Sequence, residues 1–191
     1  MRRAVPVGQA TGMRGDVQLR PLDAALLSAL LEAAVADADP EEVMPPVPGP
    51  PGWTDARREA FLRFHRGRAQ GLAADPVEAT YAVLLTGPDG EASGGRRVVG
   101  AARLCPVPSG DGEAEAGLWL GRSVRRTGVG GAAFRLLVEE ARAAGRSGVV
   151  AATTPDNQGA RRLLAALGAR TAVTAEAVEA HLSLLPADGP G

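Results

Sequence analysis

The stretch Trp119-Leu120-Gly121-Arg122-Ser123-Val124-Arg125-Arg126-Thr127-Gly128-Val129-Gly130-Gly131-Ala132 constrains the fold more than any other part of the chain. Glu115 to Leu120, leading into it, reads as a strand. From about Gly130 to Ala144, Ala133, Leu136, Leu137 and Ala141 fall on one face of a helix. A strand therefore enters a helix through a short basic turn and a cluster of glycines. The first N–H groups of a helix lack an intrahelical acceptor, and the helix dipole adds positive potential there. Glycine lets an anion reach those groups with no Cβ in the way, and Arg122, Arg125 and Arg126 raise the potential further. That chemistry suits a pyrophosphate.

Rival readings of the loop fare less well. Gly128 to Ala133 also satisfies G-x-G-x-x-A, the dinucleotide fingerprint. That pattern needs its first glycine directly after the strand and an acid about 20 residues on, at the end of the next strand. Here Gly121 to Thr127 intervene, and the next strand, Val149 to Thr153, carries no acid. The nucleotide P-loop needs a lysine, and the chain has none: all 21 basic residues are arginine. An ordinary glycine-rich helix start stays open.

The rest of the chain supplies a sheet for this unit. Val17 to Arg20 reads as a first strand, Leu22 to Val35 as a helix, and a helix capped by Thr54 carries Phe61 and Phe64 on one face. On that second helix His65 stands among arginines, which suggests a solvated side chain. Thr80 to Leu85, Val98 to Leu104 and Glu115 to Leu120 follow as a meander of strands. After the glycine-loop helix come the strand Val149 to Thr153, a helix from Gln158 to Leu167, and two β-like runs, Arg170 to Thr174 and Ala180 to Leu185. The order β-α-α-β-β-β-α-β-α-β-β predicts a mixed α/β sheet. Residues 1–15 lack period and read as a disordered leader; residues 16–186 form one domain, and 187–191 a tail. Aromatics make up only 3% of the chain, so Ala, Val and Leu must build the core.

Several function classes drop out. A net charge of −1 argues against nucleic acid as a partner. One cysteine, and two distant histidines, His65 and His181, make neither a disulfide framework nor a standard metal site. No apolar run is long enough to span a membrane, so no membrane partner is expected and a cytoplasmic location is.

R-x-x-G-x-G at Arg125, Gly128 and Gly130, following a strand, resembles the acetyl-CoA-dependent N-acetyltransferases of the GNAT superfamily. Glu115-Ala116-Gly117-Leu118-Trp119-Leu120 resembles the E-I-G-Y-W-V strand of the ribosomal-protein alanine acetyltransferase branch. Asn157-Gln158-Gly159-Ala160 with Leu163 and Leu167-Gly168-Ala169 resembles the N-x-x-A-x-x-L-Y-x-x-x-G-F segment. The resemblance spans roughly Thr80 to Leu185. It implies a mostly antiparallel central sheet with flanking helices, whose fourth and fifth strands, those ending at Leu120 and Thr153, splay into a slot. The slot takes the pantetheine arm of acetyl-CoA, the acyl donor. By that match Leu120 gives main-chain contacts to the thioester, from a β-bulge N–H that serves as oxyanion donor. Arg125 leads the phosphate motif, and Arg126, Thr127, Gly128, Val129, Gly130, Gly131 and Ala132 hold the pyrophosphate. Asn157 touches the pantetheine arm or the adjacent phosphate. Three positions depart from the family: Leu164 stands where a tyrosine acid is frequent, Ala169 replaces a phenylalanine, and Ala152 replaces a glutamate some members carry.

Acyl transfer to an amine needs a base for the ammonium and a donor for the oxyanion. Glu115, where the family places a glutamate, is the candidate base, directly or through a water; partial desolvation beside Trp119 would strengthen it. A solvated or arginine-paired Glu115 is the alternative. Tyr81, the single tyrosine, is the candidate acid for the leaving thiolate, or else packs on the sheet. Cys105 fits a small buried hydrophobe. For the acceptor, Glu41 and Glu42 can attract a cationic amine, Trp53 can stack on it, and His181 lies on the last strand, where the family's acceptor side is. A solvated charge run before a stiff proline connector is the simpler reading of 37–53, though a connector of that length still asks for a reason. The expectation is an acetyl-CoA-dependent N-acetyltransferase acting on a primary amine of a small molecule in a ternary complex. A protein or peptide N-terminus as acceptor is the alternative, and a non-catalytic acyl-CoA-binding module a third. The resemblance also implies a possible homodimer.

Overall fold

The computed structural model of the protein describes residues 7–12, 15–74, 78–87, 95–107 and 112–185. Eight strands, β1 (Val7–Gly12), β2 (Gly15–Pro21), β3 (Ala79–Thr86), β4 (Arg96–Pro106), β5 (Ala114–Leu120), β6 (Gly148–Thr153), β7 (Arg170–Val173) and β8 (Val178–Ser183), make one sheet. Its order is β1-β2-β3-β4-β5-β6-β8-β7. Neighbours are antiparallel except β5 and β6, which are parallel. This is the mixed, mostly antiparallel sheet expected from the sequence.

β3 is buried along its whole length because helices cover both of its faces. On one face α4 (Val129–Ala143) packs Ala133, Phe134, Leu137 and Ala141 against Leu19, Val83, Ala102 and Leu104. The short α5 (Gln158–Ala166) joins this layer through Leu164. On the other face α1 (Ala24–Asp37), α2 (Pro40–Val43) and α3 (Asp55–Gly67) gather Leu30, Ala34, Val43, Met44 and Phe61 over Ala101. Side-chain caps start the long helices as their sequences dictate. Asp23 accepts from the Leu26 N–H at 2.8 Å, and Thr54 from the Arg57 N–H at 3.3 Å. A single turn of 3-10 helix, Arg122–Val124, links β5 to α4.

Two features depart from the sequence expectation, and a buried arginine adds a third finding. Val7–Gly12, taken above as part of a disordered leader, pairs with β2; short unpatterned β segments give little periodic signal. Residues 1–6, 13, 14 and the tail 187–191 lie outside the described residues. His65 is not solvated but 4% exposed, wedged against Phe61, Phe64 and Trp119. Arg57 is 6% exposed, and its guanidinium donates to the carbonyls of Val47, Gly49, Pro50 and Gly52. One side chain thereby satisfies the backbone of the proline-rich connector, which has no secondary structure to do so.

Candidate active site

β5 and β6 pair only at Ala114–Val149 and Glu115–Val150, and beyond those residues the ladder stops while both strands continue. The gap that opens is the slot. β4 and β5 pair regularly up to Gly100–Leu120, and the Gly121 N–H continues the ladder to the Val99 carbonyl at 2.9 Å. In a trans peptide the C=O of one residue and the N–H of the next point oppositely, and the N–H and C=O of one strand residue share a side. The Leu120 C=O and N–H therefore face away from β4, into the slot. A bulge at Leu120 is not present. The irregularity sits between β3 and β4, where Val83 pairs with Gly100 and Leu84 with Val98. Gly100 must be glycine, since a Cβ there would collide with the Trp119 carbonyl.

Past the slot the chain enters α4 through two left-handed residues, Arg126 at φ 61° and Gly128 at φ 92°. No side chain caps α4, so its first N–H groups stay open to a ligand. A Cβ on Gly130 would come no nearer than 3.4 Å to Leu120, and one on Gly131 no nearer than 3.6 Å to Leu163. Protein packing does not demand glycine at these two positions, and the missing side chains leave the surface above the first turn bare. The α4 start thus combines open N–H groups with a bare surface, the features a pyrophosphate site needs. The Thr127 hydroxyl is turned inward, donating to the Val124 carbonyl at 2.7 Å. Asn157 caps α5, its carboxamide oxygen accepting from the Ala160 N–H at 3.1 Å.

Two of the three loop arginines are ion-paired within the protein. Arg122 pairs with Asp39 and, at 3.3 Å, with Glu42. Arg125 donates from Nη1 to Glu42 at 3.1 Å and from Nε to the Leu120 carbonyl at 2.9 Å. Asp37 accepts from the Ser123 hydroxyl and, at 3.0 Å, from its N–H, filling the space a Cβ on Gly121 would need. The Ser123 hydroxyl bond above all holds the Asp37 carboxyl below its usual range, and the Arg125 bond does the same for Glu42. Among the described residues Arg126 has no ion pair.

The acidic corner is therefore a clamp on the loop after β5, which removes Glu42 as a free attractant for an amine. Glu41 stays exposed and outside the clamp. Trp53 is half-buried, with its Nε1 donating to the Ala38 carbonyl at 2.9 Å and its ring edge-on to Phe61. It is a wall of the α1–α3 layer. Tyr81 is not at the slot: it is 3% exposed on β3, and its hydroxyl lies 3.2 Å from Glu140 of α4. Burial pushes the Tyr81 phenol up, and burial likewise raises the Glu140 carboxyl. Cys105 is buried, as expected, with its thiol raised by burial.

The structure does bring Glu115 and His181 together. They share a pocket of about 560 Å³ with Val150, Ala152, Arg170 and Glu179, on the face of β6, β8 and β7 opposite α4 and α5. Val150 pairs with Glu115 on one side and His181 on the other, and Ala152 pairs with Glu179. Glu115 is exposed at the slot's closed end. The His181 Nδ1 lies 3.3 Å from the Arg170 Nη2, which can only donate, so the ring proton belongs on Nε2, where it meets Glu113. This pair sits over Gly148, where a Cβ would be 2.8 Å from Glu113. Sequence reasoning missed Glu179 and Glu113. Glu179 was within reach, since it stands two residues from His181 on a strand and so shares its face. A second pocket, about 380 Å³, lies between α5 and β7–β8, away from the slot.

An open α/β sheet with a parallel pair that parts after two residues, next to an uncapped helix start, is the arrangement that the resemblance to acetyl-CoA-dependent transferases implies. The sequence profile of the acetyltransferase (GNAT) domain matches residues 16–170, and the chain belongs to that family. Its donor is acetyl-CoA. RimJ from Mycobacterium smegmatis, solved in complex with CoA-disulfide, superposes with a TM-score of 0.65 at 20% identity, over 94% of this chain and 87% of that one. The GNAT domain of S. lividans PAT gives 0.63 at 15% identity, over 92% and 96%. Mutant forms of the spermidine/spermine N-acetyltransferase SpeG from Vibrio cholerae give 0.58 at 9%, over 88% and 94%. No curated protein sequence matches the chain significantly. Among the described residues no helix is long and apolar enough to cross a membrane.

Proposed function

We propose that the protein transfers the acetyl group of acetyl-CoA to a primary amine of a small cationic molecule, by direct attack in a ternary complex. One observation carries this: Glu115 and Glu179 adjoin β6 from its two sides, over a small apolar floor of Val150 and Ala152, beside the slot. Neither carboxylate has an ion pair among the described residues. Two acids against the single Arg170 favour a cation in this pocket. The Gly128 to Ala132 main chain and Arg126 hold the pyrophosphate at the start of α4. The Leu120 N–H donates to the thioester oxygen as negative charge builds there. Glu115, five residues before Leu120 on β5 and so about 16 Å along the strand, receives the ammonium proton through a relay of waters, which frees the nitrogen lone pair for attack.

A panel of amines assayed for CoA release tests this. Diamines and other cationic amines should turn over best, and Glu179→Gln should raise their KM about 3- to 10-fold with little change in kcat. Turnover of peptide N-termini in preference to small amines would refute the acceptor class. That alternative draws support from the resemblance of the Glu115 to Leu120 strand to the ribosomal-protein alanine acetyltransferase branch. A homodimer, which the family resemblance suggests, is part of the same proposal and is checked by light scattering.

A further inference from the structure

We infer that Arg125, the arginine that opens the glycine motif, is a positioning residue for the thioester carbonyl and not a phosphate ligand. The inference rests on acetyl-CoA being the donor. Two of the guanidinium's five N–H donors are committed within the protein, Nε to the Leu120 carbonyl at 2.9 Å and one on Nη1 to Glu42 at 3.1 Å, and together they fix its plane against the end of β5. Glu42 is itself fixed, by Arg122 at 3.3 Å and by the Asp39 N–H at 3.0 Å. The side chains of Arg125 and Glu42 are 39% and 33% exposed, so the pair is partly sheltered from water.

What Arg125 grips is the peptide between Leu120 and Gly121. The Gly121 N–H of that peptide is tied to the Val99 carbonyl on β4. Its C=O points into the slot and is taken by Arg125. The plane is clamped from both edges, where a slot-facing carbonyl at the end of an unpaired strand would otherwise choose between water and pantetheine. With that acceptor occupied, the Leu120 N–H is what the residue presents to the slot. A hydrogen-bond donor at a fixed place meets a carbonyl oxygen without reorganising, which is where such donors gain their effect. Asp37 over Gly121, and Asp39 and Glu42 on Arg122, tie the same peptide to the α1–α2 corner on the far face of the sheet.

Calorimetric titration of the full chain with acetyl-CoA and, separately, with CoA tests the inference without knowledge of the acceptor. Only acetyl-CoA carries the carbonyl. The wild-type protein should prefer acetyl-CoA about 3- to 10-fold, the effect of one hydrogen bond. Arg125→Met should erase that preference while changing CoA affinity less than about twofold. Arg125→Gln, which can still donate to the Leu120 carbonyl, should restore it, and Glu42→Gln should lower it part way. Arg126→Ala should weaken both ligands equally. Equal, about 10-fold weakening of both ligands by Arg125→Met would make Arg125 a phosphate ligand and overturn the inference. So would a preference that survives Arg125→Met or is absent from the wild type. If Arg125→Met fails to fold, Arg125→Gln and Glu42→Gln decide by the same ratio. A wild-type protein that binds neither ligand would remove the donor site itself, a distinct failure.

Discussion

His65 should make the protein selectively sensitive to acid, and the size of the effect follows from its burial. The ring is 4% exposed between Phe61, Phe64 and Trp119, and neither nitrogen has a hydrogen-bond partner. Burial is the largest influence on it, the nearby Val43 carbonyl opposes this in part, and Arg103 and Arg68 add repulsion. Together they lower its pKa from 6.5 to about 4. Between those values the unfolded chain binds a proton that the folded protein refuses, so folding weakens as the pH falls. Linkage gives a loss of about 1.4 kcal/mol at pH 5.5 and about 2.5 kcal/mol at pH 4.5, relative to pH 8. The stability is fully present above pH 6.5 and is lost on the way down to pH 4. The variant His65→Leu removes the titration and fills similar space. Urea unfolding followed by circular dichroism, at pH 8, 6.5, 5.5 and 4.5, gives both curves. Carboxylates such as Asp37 and Glu42, held low in the folded state, lose their contribution at acid pH in both proteins and cancel in the difference. The wild type should fall relative to His65→Leu by the amounts given. Parallel curves would show that the ring protonates in place, and would refute the burial argument.

Three further outcomes are expected. Arg57→Met strands the carbonyls of Val47, Pro50 and Gly52 and should cost about 3 kcal/mol in urea unfolding, with the loop at 47–52 the first segment to gain hydrogen exchange. Gly100→Ala drives a methyl into the Trp119 backbone carbonyl and should lower stability by about 3 kcal/mol or more, read from the same assay; a loss under about 1 kcal/mol would mean that β4 and β5 part easily. Glu115→Gln should lower kcat about 100-fold while leaving the acetyl-CoA dissociation constant unchanged, and unaltered turnover would remove Glu115 as the base.

The parts of this molecule that were legible in the sequence are those encoded over short spans. The strand, basic turn and helix around Gly128 lie within thirty or so residues, and their periodicities are local. What stayed hidden depends on partners far apart in the chain. Arg122 and Asp39, or Arg125 and Glu42, are 83 residues apart, and nothing in either segment announces the other. Read alone, 37–42 is an acidic run and 122–126 a phosphate-seeking loop; folded, each answers most of the other's charge. α3 misled for another reason. Its buried stripe is Arg57, Phe61 and His65, at successive four-residue steps, so only one of its three positions looks apolar. The spacing was there to be read, but the residue types disguised it. Tyr81 stands out as a candidate acid only by being the single tyrosine, and uniqueness carries no geometry; of its two readings the structure bears out packing on the sheet, where β3 buries it against Glu140.

The brevity of the β5–β6 ladder has a mechanical consequence. Two residue pairs join a five-stranded portion, β1 to β5, to a three-stranded portion, β6, β8 and β7. The first is sandwiched between helices, whereas β7 is exposed along its whole length. The two portions thus share a pivot in the sheet at Ala114–Val149, with the Glu113–His181 contact over Gly148 as its bolt, while one core that takes in both Leu104 and Val149 spans them on the α4 face. The smaller portion should open at lower free energy than the larger one, carrying the floor of the pocket with it. The width of the gap should therefore follow the smaller portion, while the Leu120–Gly121 peptide is tied to β4 and to Arg125.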